Sequence, residues 1–348
     1  MGIAIVTSHR SVSLQKVSND IRTALENHGR DVRKVLGYPT VAVSEYQDCR
    51  NVIFVMTFDP IWAKPYFCSY YLLKSDGWNC VFYTTIEGRP KRIIGDNWIY
   101  RECEFIANSE YTKKALGRAG AKILDIIYHG IDTRKYGRFK FMRKTMRNEI
   151  GLSDNDFMVL YIAGAYRRKG HDMFRSVIQY VGKKDSSIKF VVLTQPEAVQ
   201  YYSDLENCIV SDEFGKLSED KILGLYHACD LYAHAALSEG FGLPVLEALA
   251  CGKPVVHADY KPLSEITTKK ISYRCKVAGT SYWAGDATEH TGIDYELHFY
   301  DPNEFGDLIL QAKDELMKER NEKTRLCVYR ARQFDIHKTY KKFLKYIR

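Results

Sequence analysis

The chain has 348 residues, 45% of them hydrophobic and 13% aromatic, and carries a net charge of +8. That length exceeds one ordinary core and fits two domains; the composition excludes intrinsic disorder, and no apolar run approaches the roughly 18–20 residues needed to span a bilayer. The nine cysteines are scattered without a C-x-x-C or a Cys/His cluster, which argues against a structural metal and makes most of them small buried hydrophobes.

The opening Gly2-Ile3-Ala4-Ile5-Val6 is followed by Thr7, Ser8, His9 and Arg10, the wrong order for a secretory leader, whose cations come first. It predicts a buried first strand over 3–6 and a cytoplasmic protein. A helix is expected over 14–28, ended by Gly29, then strands over 52–57, 81–85 and 104–107. Asn108-Ser109 caps a helix over 110–119, and 123–128 is the last strand before His129-Gly130-Ile131-Asp132. After a basic stretch the alternation restarts with strand 157–163, helix 172–180, strand 188–193, helix 219–229, strand 231–234, helix 244–250 and strand 254–257. Strands alternating with helices predict an α/β protein with parallel sheets. The domain boundary falls between 135 and 155, giving a first domain over 1–140 and a second over 150–332. Residues 267–300 fit no element, and Tyr300-Asp301-Pro302-Asn303 reads as a strand-to-helix turn.

Charge is unevenly placed. Residues 1–150 hold 24 Lys/Arg against 15 Asp/Glu, and the run from Arg134 to Arg147 has seven cations and no acid. The run reads either as a solvated linker or as a surface for anionic lipid headgroups or for a phosphorylated or nucleic-acid acceptor. No nucleic-acid-binding motif accompanies it.

The most informative segment is Ser238-Glu239-Gly240-Phe241-Gly242-Leu243-Pro244-Val245-Leu246-Glu247-Ala248-Leu249-Ala250-Cys251-Gly252-Lys253-Pro254-Val255-Val256. Its glycines permit a tight turn and close approach of backbone to a ligand, and Pro244 is expected at the first helical position. The N–H groups of Gly242 and Leu243 then face whatever sits above the helix, where a diphosphate is favoured by dipole and by hydrogen bonding. Glu247, one turn in, is placed to accept two ribose hydroxyls; Glu239 lies on the side where a sugar beyond the phosphates would be.

This segment resembles the E-x7-E region of retaining GT-B glycosyltransferases that use nucleotide sugars (glycosyltransferase family 4, group 1). The resemblance implies two Rossmann-like domains facing across a cleft, with the tail over 334–347 as a last helix crossing back to the first domain. It also implies that Glu239 contacts the transferred sugar and Glu247 the nucleotide ribose, with Gly240, Phe241, Gly242 and Leu243 around the donor. Tyr161-Ile162-Ala163-Gly164-Ala165-Tyr166-Arg167-Arg168-Lys169-Gly170 resembles the family's strand–loop–KG segment, which supplies an arginine and a lysine to the diphosphate. Lys169 matches directly. The arginine's usual place holds Ala165, leaving Arg167 or Arg168 to serve. Ala107 to Lys114 and Ile127 to Asp132 match architectural segments of the first domain, with His129 where asparagine is commoner.

There are departures too. The first loop, His9-Arg10-Ser11-Val12-Ser13, lacks the family's glycine pair; Ser11 or Ser13 could face the donor phosphate, or Ser13 could simply cap the following helix. In Thr84-Thr85-Ile86-Glu87-Gly88-Arg89-Pro90, Glu87 is either a residue near the acceptor hydroxyl or a turn residue. Asp154-Asn155-Asp156 spells D-x-D but sits in a polar turn, and Gly240-Phe241-Gly242 lacks the third glycine of a dinucleotide fingerprint. The expected activity is therefore transfer of a hexose from a UDP- or GDP-linked donor to a glycan, lipid-linked or protein acceptor, with retention. No further cofactor or metal is expected. The alternatives are a GT-B sugar-nucleotide epimerase and a catalytically inactive glycan-, membrane- or nucleic-acid-binding protein.

Overall fold

The structure, a computed structural model, describes residues 2–9, 11–37, 47–92, 95, 97–137, 140–286 and 292–347. The chain divides into two units, the first made of Met1–Asp132, Tyr282–Glu296 and Phe334–Arg348, the second of Thr133–Ser281 and Leu297–Gln333.

In the first unit the strands are Gly2–Thr7 (β1), Val32–Leu36 (β2), Cys49–Thr57 (β3), Asn79–Thr85 (β4), Gly88–Pro90 (β5), Glu104–Ala107 (β6) and Lys122–Ile126 (β7). Six of them form a sheet in the order β2-β1-β3-β4-β6-β7, parallel throughout. Ile3, Ile5, Val52, Ile53 and Phe54 are fully buried, as apolar β-branched runs are when helices cover both faces of a parallel sheet. The first helix, Val12–Glu26 (α1), starts at Ser11, whose Oγ accepts the Leu14 N–H at 3.3 Å; the cap is Ser11 and not Ser13. Lys64–Ser75 (α2) falls where the sequence shows no periodicity, because both its faces are apolar: Tyr66, Phe67 and Tyr70 point inward while Tyr71 and Leu72 are exposed. Glu110–Arg118 (α3) begins at the predicted cap, Ser109 Oγ accepting from Thr112 N at 3.0 Å.

The tail from Phe334 belongs to this unit, but as a succession of short turns and one four-residue helix instead of a single helix. Ile131 N donates to Phe334 O (2.9 Å) and Gly130 N to the Tyr340 hydroxyl (2.9 Å), so the predicted His129–Asp132 turn is where the tail is fastened.

The second unit has its own six-stranded sheet, from Phe157–Ile162 (β8), Ile188–Leu193 (β9), Cys208–Ser211 (β10), Leu231–His234 (β11), Val255–Ala258 (β12) and Ser272–Cys275 (β13). Its order is β10-β9-β8-β11-β12-β13. The basic run is not a linker. It forms the short helix Thr133–Tyr136 (α4) and the helix Lys140–Glu149 (α5), with Arg138 and Phe139 outside the described residues. Arg143 and Arg147 turn inward onto the buried Asp230, and Lys135 pairs with Glu219, so three of the run's cations have partners inside this unit. The remaining helices used below are His171–Lys184 (α6), Glu219–Ala228 (α7), Leu243–Ala250 (α8) and Pro302–Ala331 (α9), the last capped by Asp301 and kinked at Glu319.

The unassigned stretch 267–300 supplies β13 and two further strands, Val277–Trp283 (β14) and Ile293–Tyr300 (β15). The start of β15 pairs antiparallel with β5, Ile293 opposite Pro90 and Tyr295 opposite Gly88. Residues 287–291 lie outside the described residues.

Candidate active site

The strand order of the second sheet changes direction at β8: β9 and β10 extend to one side, β11, β12 and β13 to the other. Ligands of open parallel sheets bind beyond the carboxyl ends of the strands at such a switch point. The two loops leaving it, after β8 and after β11, carry Lys169 and Glu239.

After β8 the chain makes a single 3₁₀ turn, Arg167–Lys169, closed by Gly170 at φ +67°. A Cβ on Gly170 would lie 2.7 Å from the carbonyl oxygen of Ala235, so the backbones of the two loops touch here. Leu237 N donates to Arg168 O at 2.8 Å and ties them further. We expect Gly170→Ala to lower stability by about 2 kcal/mol, from positive φ and the backbone clash together, read as a fall in the urea midpoint.

This tie brings the Lys169 ammonium into contact with Glu239 Oε1, while His234 Nε2 stands 3.2 Å from the same oxygen. The Glu239 side chain is 11% exposed. Burial alone would raise its carboxyl, but the charge of Lys169 and the neighbouring His234 outweigh burial and hold it well below the usual carboxylate range. Oε2 has no hydrogen-bond partner among the described residues and is the oxygen open to a further donor.

His234 is not evident from sequence, being a single histidine ending an otherwise apolar strand. The loop before Glu239 is fixed from below. Tyr260 and Tyr300 hydroxyls donate to Ala236 O (2.7 Å) and Ala235 O (3.3 Å), His298 N donates to Leu237 O (2.8 Å), and the His298 ring stacks on Tyr260 at 4.2 Å. Two of these supports come from the stretch the sequence left unassigned.

Beyond Glu239, Gly240 and the side chain of Phe241 are buried, and Gly242 caps α8 at φ +95°. The helix starts at Leu243, with Pro244 second and not first. Gly242 O accepts from Val245 N at 3.0 Å, while the N–H groups of Gly242 and Leu243 have no partner among the described residues. Its dipole and open donors give this helix terminus the means to hold an anion. Glu247 follows, half-buried, accepting from the Tyr136 hydroxyl on Oε1 (3.2 Å) and the Tyr226 hydroxyl on Oε2 (2.8 Å). The two glutamates converge: the buried Tyr232 phenol is raised first by burial, then by Glu247 and by Glu239.

Of the two arginines, Arg167 is exposed, and Arg168 is half-buried with its guanidinium 4.6 Å from the Tyr166 ring centre. Ser11 and Glu87 belong to the first unit. Ser11 is engaged as the α1 cap. Glu87 is half-buried; its carbonyl accepts from Glu296 N (3.1 Å), and Glu296 accepts the Tyr111 hydroxyl (2.9 Å). Burial, then Glu296 and Glu87, push that phenol far up, so both carboxylates lie near one ring. Glu296 sits in the alternating run Ile293-Asp294-Tyr295-Glu296-Leu297, a strand signal that could have found it. His129 is buried and neutral, lowered to about 3 chiefly by burial. Its Nε2 accepts from Asn108 Nδ2 (3.2 Å), which leaves Nδ1 as the donor to the Tyr83 hydroxyl (2.7 Å).

Asp156 of the D-x-D is a turn residue, its Oδ2 accepting from Ser153 N and Oγ, both at 2.7 Å. Among the described residues no group of three His, Cys, Asp or Glu side chains is placed to hold a metal ion. Nor, among them, is any helix long and apolar enough to cross a membrane.

The chain resembles the Anabaena protein HepE, solved in complex with UDP and glucose, with a TM-score of 0.72 over 99% of this chain and 98% of that one, at 17% identity. The fold is GT-B. Residues 142–278 of this GT-B chain, under half of its length, match the family model for glycosyl transferases group 1. Over 99% of its length it is 25% identical to the whole of a protein of Sulfolobus islandicus rod-shaped virus 1 described as uncharacterized glycosyltransferase 335. It is 26% identical to the N-acetyl-alpha-D-glucosaminyl L-malate synthase of Bacillus anthracis, over 51% of this chain and 46% of that one. The family match spans the Lys169 loop, Glu239 and Glu247, and supports the glycosyltransferase group 1 part of that resemblance.

Proposed function

We propose that this chain is a glycosyltransferase that moves a hexosyl group from a nucleoside-diphosphate sugar to an acceptor hydroxyl, with retention of configuration and without a metal. The observation that carries the reading is the Lys169–Glu239 contact at the switch point of the second sheet, beside the open N–H groups that begin α8. In this reading Lys169 and the α8 N-terminus neutralise the diphosphate as its bond to the sugar breaks, the electrostatic stabilisation that often dominates catalysis. Glu239 Oε2 accepts a hydroxyl of the transferred sugar and Glu247 the ribose hydroxyls. Arg168, held over Tyr166, is the better-placed arginine for the phosphates. The acceptor oxygen bonds to the sugar carbon on the face the diphosphate leaves, and the acceptor's proton passes to the departing phosphate oxygen. Glu87, in the first unit, is the acceptor-side candidate. A uridine donor is favoured by the UDP found in HepE.

The test is a thermal-shift panel of UDP, GDP, ADP and their sugar conjugates on wild type and Glu247→Ala. A nucleotide at a hundredfold excess over its dissociation constant should stabilise wild type by about 2.7 kcal/mol, a shift of several degrees, and the variant far less. The reading is abandoned if no nucleotide shifts the wild type at millimolar concentration.

A further inference from the structure

Glu247 is held by two tyrosines that no motif predicted. Tyr226 comes from α7 and Tyr136 from the end of α4; both are buried, and each donates to a different oxygen of the same carboxylate. The terminal torsion of a glutamate is broad and two-fold, so an exposed carboxylate turns freely. One donor on each oxygen fixes its plane. A carboxylate oxygen has two acceptor directions, so one tyrosine per oxygen is compatible with that oxygen also accepting a ligand hydroxyl.

We propose that Tyr226 and Tyr136 are positioning residues that fix the Glu247 carboxylate in the plane that accepts the vicinal ribose hydroxyls of a nucleoside diphosphate, so that the site distinguishes ribonucleotides from deoxyribonucleotides with an acceptor oriented before the ligand arrives. This rests on the donor-site reading above. Burial and then Glu247 raise the Tyr226 phenol well above its ordinary value, so it stays protonated and a donor at neutral pH. The arrangement follows the general rule that a site built to hydrogen-bond a hydroxyl rejects the analogue lacking it.

The experiment is calorimetric titration of the full chain with UDP and with 2′-deoxy-UDP, on wild type, Tyr226→Phe, Tyr136→Phe and Tyr273→Phe. Wild type should prefer UDP by about tenfold or more, the worth of one hydrogen bond to a charged group. Tyr226→Phe should cut that preference to about threefold or less, and Tyr136→Phe should reduce it in the same direction. Tyr273, a buried phenol on β13 whose hydroxyl donates to the Glu315 carboxylate of α9 at 2.9 Å, is the control: its phenylalanine variant also removes a tyrosine–carboxylate bond but should keep the full preference. The inference is overturned if wild type prefers UDP and the Tyr226 and Tyr136 variants keep that preference, or if wild type binds both nucleotides equally well. In either case UDP still binds and the donor site stands. Absence of UDP, GDP and ADP binding to wild type would instead overturn the donor reading, and this inference with it.

Discussion

Glu239→Gln is expected to separate turnover from nucleotide binding. Sugar transfer should fall on the order of 10²- to 10³-fold, the scale seen when one group aimed at the transition state is removed, while UDP affinity stays level or improves. The direction of the second effect follows from charge. Glu239 places a carboxylate in contact with Lys169, and its neutral replacement both removes a negative charge from a diphosphate site and releases the lysine toward the phosphates. Lys169→Met should do the opposite on the binding side, losing turnover by a similar factor and weakening UDP by about tenfold, because the cation is then missing for ligand and leaving group alike. Product formation by chromatography and UDP titration by calorimetry read the two quantities separately. A Glu239→Gln enzyme with wild-type turnover would remove Glu239 from the chemistry, whatever it did to stability.

Much of this site was legible because its requirements are local. A loop proposed to bring backbone N–H groups to a diphosphate needs glycine and a helix start, and Gly242-Leu243-Pro244 offers both in consecutive residues. The fold class was legible for the same reason: β8 is buried throughout, and β1, β3 and β9 are buried over 3–6, 52–56 and 190–193, so each reads as an apolar run. What escaped depends on partners far along the chain. His234, Tyr226, Tyr136 and His298 touch the glutamates or their loop only after β11, α7, α4 and β15 have come together, and none sits in a spacing that names a role. The basic run misled by composition. Seven cations in fourteen residues suggest a solvated surface, yet α5 presents Arg143 and Arg147 at helical spacing to one buried aspartate. The helix α2 escaped for the reverse reason, since a segment apolar on both faces shows no periodic contrast.

That buried aspartate should be among the costliest positions in the second unit. Asp230 Oδ1 accepts from Arg143 (2.8 Å) and Arg320 (2.6 Å), and Oδ2 from Met158 N (2.8 Å) and Arg147 (3.4 Å). Arg143 and Arg320 are partly exposed and can turn to water if the carboxylate is lost. Arg147, 1% exposed, cannot. Its other bonds, to the carbonyls of Ser153, Asp156 and Ala228, leave it a buried cation with no anion. Breaking a buried pair from one side typically costs about 3–5 kcal/mol. Asp230→Ala should therefore lower the calorimetric melting temperature by on the order of 10 °C.

Asp230→Leu combined with Arg147→Met should recover most of that loss, since replacing both charges by apolar groups of similar volume leaves no orphan. The pH dependence follows in sign. Burial raises the Asp230 carboxyl, but Arg143 and Arg320 bring it down further, to a net value below its ordinary one. A depressed folded value means that the stabilisation is complete above the unfolded value of about 3.9 and is lost as pH falls through the folded one. The gap in melting temperature between wild type and Asp230→Asn should thus be constant from pH 7 to about pH 5 and close as the pH is lowered toward 3 and below. A gap that stays open at low pH would mean that shape and hydrogen bonding, not the carboxylate's charge, hold the three arginines in place.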